Sequence, residues 1–200
     1  MKRSYLLWFF AMVGGLAIGL SWSWLEGPAS PLRHKELLAV EKWAEEILAA
    51  SAEAELQDPF LLAGLVYAES RGKANAVSSV GALGLCQLMP DTAFEMARSI
   101  TVVGPPYSAR DNLRMGAHYL ARMLQHRKDD VDLALLSYRL GPGRVSRNVK
   151  AAGGVEPYLD QLRQQPKSAW GYRDQVVLMR QRFAERAQSG VEAWSGWRVQ

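Results

Sequence analysis

Residues 58–90, DPFLLAGLVYAESRGKANAVSSVGALGLCQLMP, decide how this chain folds. The segment begins as a helix, because Asp58 is a favourable N-cap and Pro59 occupies the first helical position, where no N–H is needed. Apolar residues then recur on one helical face: Leu62, Leu65 and Val66. The sequence therefore predicts a helix that is packed into the interior of the domain.

Glu69 falls in the last turn of this predicted helix, seven residues after Leu62 and three after Val66. It therefore shares or borders the buried face. A carboxyl group that is partly removed from water has a raised pKa, which suits it to hold a proton near neutral pH. This placement makes Glu69 a candidate catalytic acid.

A loop rich in small residues follows the predicted helix. Glycine and serine allow a backbone to turn sharply and to approach a ligand closely. The residues concerned are Ser70, Gly72, Asn75, Ser78, Ser79, Gly81 and Gly84. A new helix is predicted to start near Pro90, so the acid stands at a helix end beside a loop suited to ligand binding.

Four segments carry a resemblance to a known family: ES at 69–70, GALGLCQLMP at 81–90, ALLSYRLGPGRV at 134–145 and GYRDQV at 171–176. In this order they resemble the soluble lytic transglycosylase family, whose members cleave the glycan strands of bacterial peptidoglycan. Four ordered segments are more specific than any one alone. The resemblance covers about residues 55–185 and implies a mainly α, lysozyme-like helical domain at about residues 34–188.

The resemblance implies a single-acid mechanism without a cofactor. Glu69 would protonate the glycosidic oxygen between N-acetylmuramic acid and N-acetylglucosamine. It would then take the proton from the 6-hydroxyl group of the substrate, which leaves a 1,6-anhydro sugar. Most glycoside hydrolases use two carboxylates. The nearest second one in the motif, Asp91, is better explained by the start of the next helix.

The resemblance also implies five substrate-binding residues. Ser78 would hold an acetamido group, Gln87 would bind a sugar hydroxyl or amide, and Met89 would line the groove. Tyr138 would lie near the acid, and Tyr172 near the floor of the site. Structural roles remain open for Ser78 as a loop residue and for Met89 and Tyr138 as core residues.

The chain departs from the family pattern at several positions. Arg139 stands where asparagine is usual, Leu140 replaces a small residue, and Ser168 occurs where many members have glutamate. Cys86 replaces a frequent methionine with a residue of compatible volume. Two alternatives therefore stay open: a lysozyme-type muramidase that uses water, and a non-catalytic peptidoglycan-binding module.

The composition is that of a globular protein: 48% of the 200 residues are hydrophobic and 22% are charged. The net charge of +4 includes Lys2 and Arg3, so the remainder is too mildly basic to predict nucleic-acid binding. Cys86 is the only cysteine, which excludes an intramolecular disulfide. No cluster of cysteine and histidine has metal-site spacing, so no metal is predicted.

The N-terminus carries a strong targeting signal. Residues 5–25 contain no charge, and they follow Lys2 and Arg3 and precede Glu26. This pattern predicts a single-pass inner-membrane anchor at residues 1–25 with the domain in the periplasm, a cleaved signal peptide being the competing interpretation. Residues 26–33 would be a linker. The resemblance adds a secretion or conjugation complex as a partner.

The rest of the chain is predicted to be helical. The expected helices are 34–56, 59–70, one from about Pro90, one capped by Asp111, one capped by Asp130 at 133–140, two short ones at 145–152 and 157–162, and a long one at 169–187. A tail at 189–200 keeps Trp194 and Trp197. The sequence leaves three placements open for them: on the core, on a membrane, or in a disordered segment.

Overall fold

The computed structural model of the chain describes residues 31–165 and 168–197. The chain divides into two compact units, residues 1–38 and 39–200. In the first unit only the start of a helix is described, and the site lies in the second. The predicted anchor at 5–25 is outside the described residues. Within the described ranges, no helix has the length and apolar character needed to cross a membrane.

The described part of the chain is mainly helical, as predicted. The helices are α1 Pro31–Glu41, α2 Ala44–Glu53, α3 Pro59–Ser70, α4 Pro90–Ser99, α5 Ala109–His126, α6 Val131–Leu140, α7 Pro142–Ala152, α8 Val155–Arg163 and α9 Ala169–Gln188, followed by a 3-10 helix at Glu192–Trp194. Two isolated β-bridges, from Val77 to Leu83 and from Leu83 to Leu88, shape the loop between α3 and α4.

The predicted helix at 34–56 is two helices. α1 begins at Pro31, inside the stretch predicted as a linker, and the chain bends between α1 and α2 at Lys42 and Trp43. The indole nitrogen of Trp43 donates a hydrogen bond to the carbonyl oxygen of Gly72 at 3.1 Å. This contact ties the bend to the loop that follows α3, which periodicity alone does not reveal.

The prediction that Asp111 caps a helix is wrong, because α5 begins one turn earlier, with Ser108 as its N-cap. The Ser108 hydroxyl accepts a hydrogen bond from the Asp111 backbone N–H at 3.1 Å and donates one to its carboxylate at 2.6 Å. Such a reciprocal pair stabilises a helix start. The carboxylate of Asp111 therefore belongs to the first turn of the helix.

The cap predicted at Asp130 is confirmed, since its side chain accepts a hydrogen bond from the Leu133 N–H at 3.0 Å. The end of the same helix differs from the prediction. Gly141 ends α6 with a φ of +85°, and Pro142 begins α7 at once. Glycine tolerates this left-handed conformation and proline suits a first helical position. The Gly-Pro-Gly segment is therefore a tight junction between two helices.

The helix α3 lies at the centre of the core. The three residues predicted to be buried, Leu62, Leu65 and Val66, have no exposed surface. Their neighbours are buried as well, because α9 packs along the remaining side of α3, where Gly64 allows the two backbones to approach closely. The sequence therefore predicted too few buried residues, because α3 is buried on nearly all sides over most of its length.

The described part of the C-terminal tail, as far as Trp197, folds back on the core. Trp194 is 1% exposed, and its ring lies 5.4 Å from the ring of Phe60 and 5.7 Å from that of Phe183, centre to centre. Its indole N–H donates to Glu41 at 3.1 Å, and Glu41 also pairs with Arg186 through two contacts of 2.6 and 2.7 Å. Of the three placements that the sequence left open for the tail, the structure favours packing on the core.

Candidate active site

The candidate acid is placed by the two ends of α3. At its start, the Asp58 side chain accepts a hydrogen bond from the Phe60 N–H at 2.9 Å, as the predicted cap requires. At its end, Arg71 adopts a left-handed conformation with a φ of +54°. Glu69 stands in the last helical turn with a side chain that is 5% exposed. The carboxyl group is therefore largely removed from solvent, whereas the sequence predicted only partial removal.

Burial raises the pKa of Glu69 above its usual value. Two neighbours act in the opposite direction: the hydroxyl of Tyr172 and the positive charge of Arg139, whose Nη1 lies 3.4 Å from Oε2 of Glu69. Desolvation is the largest of these effects, so the raised value prevails. A carboxyl group in this state can hold a proton at a higher pH than an exposed glutamate and deliver it to a bound molecule.

Tyr172 lies beside the acid on α9. Its hydroxyl is buried, and burial, reinforced by the negative charge of Glu69, raises its pKa well above the usual value. The hydroxyl therefore keeps its proton and lowers the pKa of Glu69, although the distance and angle do not make a regular hydrogen bond. Tyr172 does not line the groove described next, so its contact is with the acid.

A groove of about 580 Å³ opens above Glu69 and brings most of the predicted residues together. Its lining includes Glu69, Ser78, Gln87, Met89 and Tyr138. These residues come from α3, from the loop after it, from the start of α4 and from α6. Five residues that the sequence places up to 69 positions apart thus share one concave surface.

The loop between α3 and α4 forms one wall of the groove, and Ser78 and Gln87 hold it in shape. The Ser78 hydroxyl accepts a hydrogen bond from the Ala82 N–H at 2.9 Å, which leaves its own proton free to donate. Gln87 has a φ of +47° and donates from its side-chain amide to the carbonyls of Ala76 and Gly84 at 3.1 and 2.9 Å. The donor group of Gln87 is therefore used within the loop, and its side-chain oxygen remains for a ligand.

Met89 lines the groove with 44% of its surface exposed. Met89 is therefore a residue of the groove wall and not of the core. An exposed thioether on a groove wall offers a polarisable apolar surface to a sugar ring.

Tyr138 is buried near the acid, and its hydroxyl makes a contact that the sequence did not predict. Its hydroxyl donates to the carbonyl oxygen of Cys86 at 2.9 Å, and no hydrogen bond to Glu69 is present. Tyr138 is still close enough for the charge of Glu69 to contribute to its raised pKa, of which burial is the main cause. Tyr138 therefore fixes the loop that carries Cys86 and Gln87 beside the acid.

We expect Tyr138→Phe to lower the free energy of unfolding by about 1–2 kcal/mol, because the buried Cys86 carbonyl loses its donor. Tyr158→Phe is the matched control, since the Tyr158 hydroxyl is buried and has no hydrogen-bond partner among the described residues. Its removal should be neutral or slightly stabilising. Urea unfolding of both variants measures the difference, and an equal loss in both would contradict the assigned contact.

Two further residues hold the site and were missed from the sequence. The Asn112 side chain accepts from the Cys86 N–H at 2.8 Å and donates to the Leu83 carbonyl at 3.1 Å. Gly116, one turn later on α5, would place a Cβ only 2.6 Å from the Cβ of Cys86. A polar residue beside an apolar helical face was the available signal for Asn112, and its partner could not be read from the sequence.

Glu69 is the only carboxylate among the described residues that line the groove. Asp91, the second acid considered from the sequence, is exposed and lines a separate, mainly apolar pocket. In the part of the chain that the structure covers, no group of three or more histidine, cysteine, aspartate or glutamate residues could hold a metal ion. The arrangement offers one buried proton donor at the wall of a groove with polar and apolar surfaces.

A mainly helical, lysozyme-like domain with one acid in its groove defines the class of this protein, and comparison with known proteins gives the family. The sequence model of the Transglycosylase SLT domain matches residues 46–161, so the chain belongs to that family. The match ends before α9, which carries Tyr172.

Two relatives resemble the sequence. A transglycosylase of Enterobacteria phage PRD1 is 40% identical over 126 residues, which cover 56% of this chain and 45% of that protein. Membrane-bound lytic murein transglycosylase F of Desulfosudis oleivorans is 33% identical over 106 residues, covering 48% of this chain and 22% of that protein. The chain thus spans less than half the length of either relative.

Two solved structures share the fold. An inactive mutant of the lytic transglycosylase Slt from Pseudomonas aeruginosa has a TM-score of 0.62 and 22% identity, over 74% of this chain and 25% of that one. The 70 kDa soluble lytic transglycosylase from Escherichia coli has a TM-score of 0.53 and 24% identity, over 68% and 23% of the two chains. The predicted fold class is therefore confirmed for the helical domain.

Proposed function

We propose that this chain is a peptidoglycan lytic transglycosylase that cleaves the β-1,4 bond between N-acetylmuramic acid and N-acetylglucosamine, with Glu69 as the single acid and base. The observation that carries the proposal is the buried Glu69 side chain, the only carboxylate among the described groove residues. Membership of the transglycosylase SLT family supports the substrate class.

The reaction then runs in two steps through one carboxyl group. Glu69 gives its proton to the glycosidic oxygen as the bond from that oxygen to the muramic acid C1 breaks. The Glu69 carboxylate next takes the proton of the muramic acid 6-hydroxyl while its oxygen bonds to C1, which closes the 1,6-anhydro ring and restores the acid. The acetamido group of the substrate stabilises the positive charge at C1 between these steps.

The groove residues support binding in this proposal. The Ser78 hydroxyl donates to the acetamido group, the Gln87 side-chain oxygen accepts from a sugar hydroxyl, and Met89 packs against a sugar ring. Tyr138 and Tyr172 act through the protein, Tyr138 by fixing the Cys86 loop and Tyr172 by its hydroxyl beside Glu69.

The product decides between this reaction and its alternatives. Residues 26–200 are incubated with purified peptidoglycan, and the released sugars are analysed by mass spectrometry. Anhydro-muropeptides are the expected product, whereas reducing muropeptides would make the protein a muramidase. Binding to sacculi without any product would favour a non-catalytic wall-binding module.

We further propose that residues 5–25 anchor the chain in the inner membrane with the helical domain in the periplasm, where it opens the wall locally for a secretion or conjugation complex. The uncharged run after Lys2 and Arg3 supports the orientation. Protease treatment of spheroplasts should degrade the domain. A strain that lacks the gene and secretes or transfers normally would contradict the role.

A further inference from the structure

Arg139 occupies a position in the groove that no part of the proposed mechanism uses. Its Nη1 lies 3.4 Å from Oε2 of Glu69, and its guanidinium carbon lies 5.3 Å from the centre of the Tyr172 ring. The two partners differ sharply in exposure: the side chain of Glu69 is 5% exposed and that of Arg139 is 53% exposed. The cation therefore reaches the acid from the solvent side of the groove.

This contact is easily broken. At 3.4 Å the nitrogen and oxygen are beyond the distance of a strong charge-assisted hydrogen bond, and a half-exposed arginine keeps much of its hydration. Arg139 also lines the groove itself, together with Ser78 and Met89. A molecule that binds in the groove beside Glu69 is therefore within reach of the guanidinium group.

The other groups that face Glu69 carry no charge near neutral pH, so they cannot form an ion pair with it. They are Tyr138 from α6, Tyr172 from α9 and the thiol of Cys86 from the loop, and burial raises the pKa of all three. All three are therefore neutral near neutral pH, whereas arginine is always protonated. Arg139 is thus the charged neighbour of the acid among the described residues, and about half of its side chain is exposed to solvent.

Resting on the proposed function, we propose that Arg139 is a substrate-responsive positioning residue: it holds the Glu69 carboxylate in the empty groove and leaves it for a carboxylate on the peptide stem of the bound glycan. Guanidinium groups form strong, often bidentate hydrogen bonds with carboxylates. When Arg139 turns to the substrate, Glu69 loses its positive neighbour, so it becomes easier to protonate at the moment when the acid is needed.

Rate profiles against pH test this exchange, with soluble stem-bearing glycan strands as the substrate. The rate falls at high pH where Glu69 loses its proton. The pH of this fall reports the pKa of Glu69 in the free enzyme when kcat/KM is plotted, and in the substrate complex when kcat is plotted. In Arg139→Asn we expect the high-pH limb of kcat/KM to move up by roughly 0.5 pH unit, because the empty groove loses its cation. The limb of kcat should stay in place, and KM should rise roughly tenfold.

Two further variants complete the comparison. Arg139→Lys keeps the positive charge. The high-pH limb of kcat/KM and the value of KM should therefore both lie between those of Arg139→Asn and the wild type. Arg144→Asn removes an exposed arginine of α7 that does not line the groove, so it controls for the loss of one positive charge near an anionic substrate. Equal shifts of both limbs in Arg139→Asn would show a static pair, and no shift in either would show no contact; both results would overturn the proposal.

A binding measurement separates this proposal from the proposed function. The carboxyl carbon of Glu69, identified by its absence in Glu69→Gln, is titrated by 13C NMR with a stem-bearing anhydro-muropeptide or with a neutral chitooligosaccharide. The muropeptide should raise the Glu69 pKa more than the neutral sugar in the wild type, and this difference should vanish in Arg139→Asn. If it persists there, Arg139 is not the residue that responds. The readout needs no turnover, so it stands whatever the reaction product proves to be.

Discussion

Glu69→Gln should reduce glycan cleavage at least about a thousandfold and leave the fold intact. The amide has the shape of the carboxyl group but cannot deliver or accept the proton, and the described groove residues include no second carboxylate to replace it. Product release from purified peptidoglycan measures the loss, and circular dichroism checks the fold. A variant that kept near-normal activity would remove Glu69 from the mechanism.

The stability of this variant gives an independent check. Because the folded-state pKa of Glu69 is raised, ionisation is less favourable in the folded than in the unfolded chain. The acid therefore costs stability as the pH rises above its unfolded pKa. The stability advantage of Glu69→Gln over the wild type should therefore grow as the pH rises above the pKa of glutamate in the unfolded chain. Asp91→Asn, an exposed acid in the same motif, is the control and should retain activity.

Gly64→Ala should lower the free energy of unfolding by about 3 kcal/mol. An added Cβ would meet the backbone of α9, lying 2.9 Å from the Arg180 nitrogen and closer still to the Val176 carbonyl oxygen. Backbone atoms of two packed helices cannot yield as a flexible side chain can, so α3 and α9 must separate.

Separation of these helices should also impair the site, since α3 carries Glu69 and α9 carries Tyr172. Thermal unfolding and product release would both be measured. Gly171→Ala is the matched control, because a Cβ there meets no atom within 4 Å and alanine favours a helix. It should be neutral or stabilising by up to about 1 kcal/mol. Equal stability of the two variants would mean that the close approach at Gly64 is not essential.

Local signals predicted the acid and its helix well. The cap at Asp58, the proline after it and the apolar spacing depend only on neighbouring residues, so α3 Pro59–Ser70 agrees with the predicted range 59–70. Burial of Glu69 followed from its position relative to Val66. The order of the motif segments was enough to predict the fold class, because four ordered segments are more specific than any one alone.

The partners of each side chain could not be predicted in the same way. The sequence placed Tyr138 near the acid, but it did not show that the hydroxyl would donate to the Cys86 carbonyl. Gln87 was predicted to bind sugar with its amide, whereas its left-handed backbone turns the amide donor into the loop. Such details depend on how α5 and α6 pack against the loop, which is set by contacts between residues distant in sequence.

Arg139 is a residue whose importance the sequence indicated but could not explain. Its departure from the family pattern was visible in the sequence, but only as a doubt about the binding site. The 3.4 Å approach to Glu69 gives this departure a physical meaning, because it places the cation beside the one ionisable group that the proposed reaction uses. A substitution within a motif is thus informative once its distance from the acid is known.

The contact between Trp194 and Glu41 affects the stage of synthesis at which the helix that carries Glu69 can be enclosed. The two residues are 153 positions apart, and Trp194 also packs on Phe60 at the start of the helix that carries the acid. During synthesis the acid therefore leaves the ribosome well before one of the residues that enclose its helix. The helix that carries Glu69 stays incompletely enclosed until Trp194 has been synthesised.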